Sequence, residues 1–332
     1  MRCESFSKTP IGGPRVSPGR WPIRSTCTAG WSNCSTRRRR RPGGTIVSHS
    51  EIPCPRAGIG DEAHAALSRQ IEAVTELGWN RLELRSIGGT ALADLDDTAF
   101  ARAAMLLARS GVDVVCLDSR IGNWGRPITA PFADDMAELR VLCLRAAALN
   151  CRHIRIMSYP NDGLPERDWA AEALHRIREL TALAADHGLI LLHENCAGWA
   201  GTDPRRAADL LHTIDSPALR LLFDTGNGPA HGYPDFDYLE TVIDLIDHVH
   251  IKDAVHRPEG VRYVHPGEGE CRVADSIRLL LDHGYSGVFS IEPHLTLRPH
   301  ETMTELTDIT EFVDYGRYFD EFLSALLREE VS

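Results

Sequence analysis

Four strand-like runs in the second half of the chain each end on a residue suited to binding a hard metal ion. They are Leu189-Ile190-Leu191-Leu192-His193-Glu194, Leu221-Leu222-Phe223-Asp224, His248-Val249-His250 and Val288-Phe289-Ser290-Ile291-Glu292. Glu194, Asp224, His250 and Glu292 follow one another at intervals of 30, 26 and 42 residues. Those intervals roughly match one strand, one loop and one return helix, since a βαβ unit takes about 30 residues. Side chains at the C-terminal ends of parallel strands converge at the mouth of a (β/α) barrel. The spacing therefore predicts that Glu194, Asp224, His250 and Glu292 meet around one divalent cation. Three carboxylates and one imidazole make a hard, oxygen-rich set, suited to Mn²⁺ or Mg²⁺ ahead of Co²⁺ or Zn²⁺.

Alternate residues of a strand share a face. His248, His250 and Lys252 therefore point one way, and Val249 and Ile251 the other. Val288, Ser290 and Glu292 share a face in the same manner. Lys252 is placed to offset negative charge developing on a substrate, or to pair with Glu268 or Asp253. Glu83 and Arg155, on two earlier strands, either orient substrate inside the barrel or form a buried ion pair. His193 has outward parity and reads as structural. His265 and Glu268 lie on the Gly/Pro loop His265-Pro266-Gly267-Glu268-Gly269 over the mouth, where they contact substrate or merely shape the loop. His294 follows Glu292 by two residues. Trp124 and Trp199 come shortly after strand ends, where aromatics wall a sugar pocket or pack loops.

The elements that must position these residues alternate from about residue 45 onward. Helices are predicted over Glu62–Leu77, Asp97–Arg109, Asp134–Leu149, Trp169–His187, Asp203–Ile214, Tyr238–Ile246, Val273–His283 and Asp308–Leu327. Gly78, Gly111 and Gly188 stand where helix-ending glycines belong. Early strands are predicted at Arg81–Arg85, Val112–Leu117 and Cys151–Met157, with a poorly marked first strand within Thr45–Ile59. Eight strand–helix units point to a parallel sheet closed into a (β/α)8 TIM barrel. The alternative, an open doubly wound sheet, lacks the glycine-rich turn after an early strand.

Composition narrows the function classes. The 332 residues are 43% hydrophobic, enough for one large barrel. No apolar run approaches the roughly 20 residues needed to span a bilayer. Residues 1–45 carry nine Arg and one Lys against one Glu, so +9, which leaves −20 for the rest of a chain with a formal charge of −11. An acidic body disfavours a nucleic-acid enzyme, because phosphate backbones select basic surfaces. The 9 cysteines show no CxxC spacing, and a reduced cytoplasmic protein is the expectation. Residues 1–45 have no hydrophobic periodicity and read as a disordered Arg-rich extension, or as sequence upstream of a true start near Val47. The other reading is a basic arm for an acidic partner. The domain is thus expected over residues 46–332.

Five motifs from Glu62 to Leu327 resemble the sugar phosphate isomerase/epimerase family of xylose isomerase-like TIM barrels. They are Leu192-His193-Glu194-Asn195, Phe223-Asp224-Thr225-Gly226-Asn227, His248-Val249-His250-Ile251-Lys252-Asp253-Ala254, Pro266-Gly267-Glu268-Gly269 and Ser290-Ile291-Glu292-Pro293-His294. The resemblance implies that Glu194, Asp224, His250 and Glu292 are metal ligands, with Glu194 and Glu292 also the catalytic acid/base pair. Related ketose epimerases place a substrate-contacting histidine three residues after the ligand aspartate, where this chain has Asn227. They place an arginine six residues after the ligand histidine, where this chain has His256 followed by Arg257. The Lys252-Asp253 pair is shared with relatives of inosose dehydratases.

The chemistry expected of such a site is abstraction of a proton next to a carbonyl. A chelated cation acidifies that C–H. One glutamate removes the proton to give an enediolate and the other returns one. Return to the same carbon with inversion is epimerisation, return to the neighbouring carbon is isomerisation, and loss of a β-hydroxyl is dehydration. The leading expectation is an isomerase or epimerase of a small keto-sugar or polyol that forms a homo-oligomer. Its rivals are an inosose-type dehydratase, an endonuclease IV-like repair enzyme and a non-catalytic binding barrel. The repair enzyme would need more strand-end histidines.

Overall fold

A computed structural model describes residues 54–295 and 308–329. Its main sheet has eight parallel strands: β1 Arg56–Gly58, β2 Arg81–Leu84, β3 Asp113–Asp118, β4 His153–Ser158, β5 Ile190–Gly198, β6 Leu219–Asp224, β7 Ile246–Ile251 and β8 Phe289–Ile291. They pair in the order β1-β8-β7-β6-β5-β4-β3-β2. A parallel bridge between Ile59 and Glu83 joins the two edge strands, so the sheet curls into the expected barrel and the open doubly wound alternative falls away. Apart from a short turn of helix at Gly228–His231, the α-helices between and after the strands are α1 Leu67–Glu76, α2 Asp97–Ser110, α3 Phe132–Ala148, α4 Glu166–Asp186, α5 Pro204–Ile214, α6 Asp235–Val242, α7 Val273–Asp282 and α8 Thr310–Glu329.

Strand parity sorts the side chains into two environments. Leu191, Leu221, Phe223, Val249 and Ile251 turn outward and join Leu139, Ile177, Leu210 and Ile277 of the helices in one continuous core. The inward-facing Cys116, Leu192 and Leu222 form a small separate apolar cluster inside the barrel. Each stands two residues before an inward-facing carboxylate: Asp118, Glu194 or Asp224. An apolar plug thus lies beneath a polar rim.

The helix ends follow ordinary capping rules. The Asp96 carboxylate accepts the Ala99 N–H at 2.7 Å to start α2, and Gly111 ends it at φ 71°. The first helix departs from expectation. Gly60–Glu62 is a single 3-10 turn after β1, and α1 begins only at Leu67. The Gln70 amide explains the break, because it donates to the carbonyls of His64, Ala65 and Ser86 and holds the link out of helix. The expected first strand is confined to Arg56–Gly58, with its upstream part outside the described residues. The Arg-rich extension and the boundary near residue 45 also lie outside them.

Candidate metal centre

Each of the four strand-end candidates reaches the mouth through a local device that anchors one of its atoms. Asp224 Oδ1 accepts the Gly226 N–H at 2.7 Å. Its backbone is fixed by Asn195, whose amide accepts the Asp224 N–H at 2.5 Å and donates to the Asp224 carbonyl at 2.8 Å. Thr225 Oγ1 donates to the Lys252 carbonyl at 2.6 Å, tying the end of β6 to that of β7. Gly226 packs so closely that a Cβ there would lie 2.7 Å from the Lys252 carbonyl oxygen. Asn227 then donates to Glu194 Oε1 at 3.0 Å. The Asp-Thr-Gly-Asn motif is therefore a candidate ligand, a tie, a close approach and a brace.

His250 is anchored through Nε2, 3.0 Å from Glu83 Oε1. Glu292 is anchored on both sides, with Arg85 Nη1 3.0 Å from Oε1 and Lys252 Nζ 2.7 Å from Oε2. Glu194 Oε2 lies 3.2 Å from Arg155 Nη1. The result is a buried group in which one donor atom from each of Glu194, Asp224, His250 and Glu292 lies within 4.8 Å of the others. Glu194 Oε2 and Asp224 Oδ2 each face a side-chain cation, Arg155 Nη1 at 3.2 Å and Lys252 Nζ at 2.8 Å, and the buried His250 Nδ1 makes no hydrogen bond within the protein. Buried polar atoms are normally satisfied. An imidazole nitrogen without a hydrogen bond, facing carboxylate oxygens that gather side-chain cations, fits a divalent cation.

The electrostatics follow from burial and pairing. Burial raises Asp224 to about 6 even with the Lys252 ammonium opposing it. Burial also acts to raise Glu292, but Lys252, His294 and His250 outweigh it and hold this carboxyl well below its ordinary range. Burial disfavours the charged form of His250, yet Glu83 and Glu292 prevail and push its pKa well above the usual value. Lys252 follows the same logic, its charge held by Asp224 and Glu292.

A cavity of about 270 Å³ opens over the group, lined among others by Trp124, Arg155, Asn227, Lys252, Tyr263 and His294. Asn227, Lys252 and Arg155 are thus beside the candidate ligands. Glu83 is not in the cavity wall. It lies deeper, between His248 and His250. His256 is exposed on the hairpin Asp253–Arg257/Gly260–Val264, 2.9 Å from Glu270. Glu268 is exposed and stands 3.5 Å from His265. Neither lines the cavity over the four candidate ligands. Lys252 pairs with neither Glu268 nor Asp253. Asp253 instead accepts the N–H groups of Gly267, Gly269 and Cys271, clamping the glycine-rich turn. Of the two aromatics, Trp124 lines the cavity, and Trp199 packs against the core and under Arg206. His193 is fully buried on the helix side, and burial lowers its pKa to about 4.

Arg85, Asp61 and Glu62 were not singled out from sequence. Arg85 Nη2 lies 2.9 Å from Asp61 and 3.0 Å from Glu62 while Nη1 holds Glu292. Arg85 shares parity with Glu83 at the end of β2, so the strand-end signal was present there. Glu62, Glu292 and His294 also have donor atoms within 4.8 Å of one another, but the Arg85 guanidinium already supplies the positive charge among them.

The family profile described as xylose isomerase-like TIM barrel matches residues 71–308. An inosose dehydratase from Clostridium botulinum is 28% identical over 144 residues, 38% of this chain and 47% of that protein. A fructoselysine 3-epimerase from Escherichia coli O157:H7 is 27% identical over 121 residues, 35% of this chain and 42% of that protein. The chain spans less than half the length of these curated relatives. A xylose isomerase-like TIM barrel protein from Mycobacterium smegmatis, solved in complex with magnesium, superposes with a TM-score of 0.61. It is 18% identical, and the match covers 82% of this chain and 97% of that one.

Proposed function

Because the chain belongs to the xylose isomerase-like TIM barrel family, we propose that it is a divalent-metal-dependent isomerase or epimerase of a small keto-sugar or polyol. The observation that carries this reading is the buried convergence of Glu194, Asp224, His250 and Glu292 under an open cavity. These four residues would hold one cation, Mg²⁺ or Mn²⁺ by the hardness of the set. When bound, such a cation supplies Lewis acidity toward a carbonyl and its neighbouring hydroxyl.

The chain's own residues do the rest. One of Glu194 and Glu292 takes the proton from the carbon beside the carbonyl, and the other delivers a proton to complete the reaction. Asn227 and Arg155 keep Glu194 in place, and Arg85 and Lys252 keep Glu292. Lys252 and Arg155 offset negative charge that builds on the substrate oxygens. Trp124 and Tyr263 provide apolar wall for the sugar's C–H faces.

A second reading, a dehydratase of the inosose type, is favoured by two residues. Asn227 stands where ketose epimerases have a substrate-contacting histidine. The position of their arginine is held by His256, which points away on the hairpin. The same proton abstraction then ends in loss of a β-hydroxyl as water. Incubation of Mg²⁺-loaded protein with a panel of keto-sugars and inososes, followed by ¹H NMR of the products, separates the two. An epimer or an aldose supports the first reading and a dehydrated ketone the second. A metal-loaded protein that turns over none of the panel counts against both.

A further inference from the structure

We propose that Glu83 is a positioning residue for the metal centre, fixing the imidazole of His250 so that Nδ1 is the nitrogen offered to a cation. The inference rests on the metal-binding reading above. Glu83 is fully buried and takes no part in the cavity wall. It sits on β2, while His248 and His250 sit on β7, and β1 and β8 lie between them in the sheet. The carboxylate therefore bridges the barrel interior rather than a neighbouring strand pair.

The geometry of that bridge is symmetrical. Glu83 Oε2 lies 3.0 Å from His248 Nε2, and Oε1 lies 3.0 Å from His250 Nε2. An ionised carboxylate only accepts hydrogen bonds, so both imidazoles present Nε2–H to it. The far nitrogen of His250 then faces the ligand carboxylates, with Nδ1 3.5 Å from Glu292 Oε2 and 3.9 Å from Asp224 Oδ2. No hydrogen bond reaches that Nδ1. Its direction is consequently set from below by Glu83. Glu83 is itself held against rotation by the second imidazole, with the His248 and His250 rings edge to face at 5.5 Å. A metal-binding histidine is generally oriented in this way by a partner on its other nitrogen, and loss of that partner costs about 10- to 100-fold in metal affinity.

The test is calorimetric titration of Mg²⁺ and Mn²⁺ into wild type, Glu83→Gln and Glu83→Asp, with the melting temperature of each metal-free form as a folding control. Gln cannot accept from both imidazoles, and Asp keeps the charge but withdraws it from reach. Positioning predicts that both variants lose roughly 10- to 100-fold in affinity. It also predicts that a downfield Nε2–H resonance of His250, seen in ¹⁵N-histidine-labelled Mg²⁺-loaded wild type, disappears. A role limited to charge balance would leave Glu83→Asp with wild-type affinity, and that result overturns the proposal. If Glu83→Gln fails to fold, Glu83→Asp decides alone. If wild type binds no metal, the metal reading and this proposal fall together. Wild-type binding with unchanged variants sinks the positioning role only.

Discussion

The Lys252 ammonium lies 2.7 Å from the Glu292 carboxylate, placing a fixed positive charge inside the carboxylate group that would hold a cation. The same nitrogen is 2.8 Å from Asp224. Removing one partner of a buried ion pair leaves uncompensated charge and costs about 3–5 kcal/mol. Lys252→Met should therefore melt well below wild type without metal. Added Mg²⁺ should raise the variant's melting temperature more than it raises that of wild type. Equal metal-induced shifts in the two proteins would show that Lys252 does not share this charge with a cation.

Glu292 is assigned acid/base work, and the Glu292→Gln substitution keeps its size while removing the base. General acid–base catalysis contributes about 10²- to 10⁴-fold, so substrate turnover should fall by at least about 100-fold with the fold intact by circular dichroism. A variant with turnover near that of wild type would remove Glu292 from the mechanism.

The Asp253 clamp makes a prediction about stability away from the chemistry. Its carboxylate accepts from Gly267 at 2.8 Å, Gly269 at 3.0 Å and Cys271 at 3.2 Å. The Cys271 bond is the buried one of the three, and leaving a buried donor unsatisfied costs about 1–3 kcal/mol. Asp253→Ala should lose about 1 kcal/mol or more in urea unfolding and open the 265–271 turn to proteolysis. Unchanged stability and protease resistance would mean that the turn holds itself.

Asp235 supplies a pH dependence. It is buried at the start of α6 and accepts the Gly228 N–H at 2.7 Å. Burial, the largest influence, raises its pKa to about 8, against roughly 3.9 in an unfolded chain. The folded state thus binds the extra proton. Asp235's contribution to stability is complete below about pH 4 and is lost as pH rises through about 8. Asp235→Asn keeps an acceptor for Gly228 and abolishes the titration. Its stability relative to wild type should improve from pH 5 to pH 9, by about 1 kcal/mol or more. A constant difference across that range would contradict a raised pKa at Asp235.

Much of the centre was legible in the sequence, and the limits have physical causes. Glu194, Asp224, His250 and Glu292 could be paired because strand ends in a closed barrel must converge, whatever the loops do. Asn227 and Lys252 followed from short offsets just past those strands, and Arg155 from its place on the earlier strand β4. Offsets failed beyond the end of β7. There the chain turns into the hairpin Asp253–Arg257/Gly260–Val264, which carries His256 outward. Glu268 is displaced by the Asp253 clamp, a long-range contact that no local pattern announces. Asp61 and Glu62 stayed hidden because the three residues of β1 are too short to show a period, and the helix-like composition after it concealed a 3-10 turn.

A cation held by Glu194, Asp224, His250 and Glu292 would drive removal of a proton from a carbon beside a carbonyl. The most direct measurement follows deuterium uptake from D₂O at that carbon by ¹H NMR, for keto-sugars and inososes, with Mg²⁺-loaded protein, EDTA-treated protein and Glu292→Gln in parallel. The account predicts exchange in at least one substrate with the loaded protein, its loss on chelation and recovery when Mg²⁺ is restored. It also predicts near-background exchange for Glu292→Gln. Exchange that continues undiminished in EDTA, or in Glu292→Gln, would contradict the account.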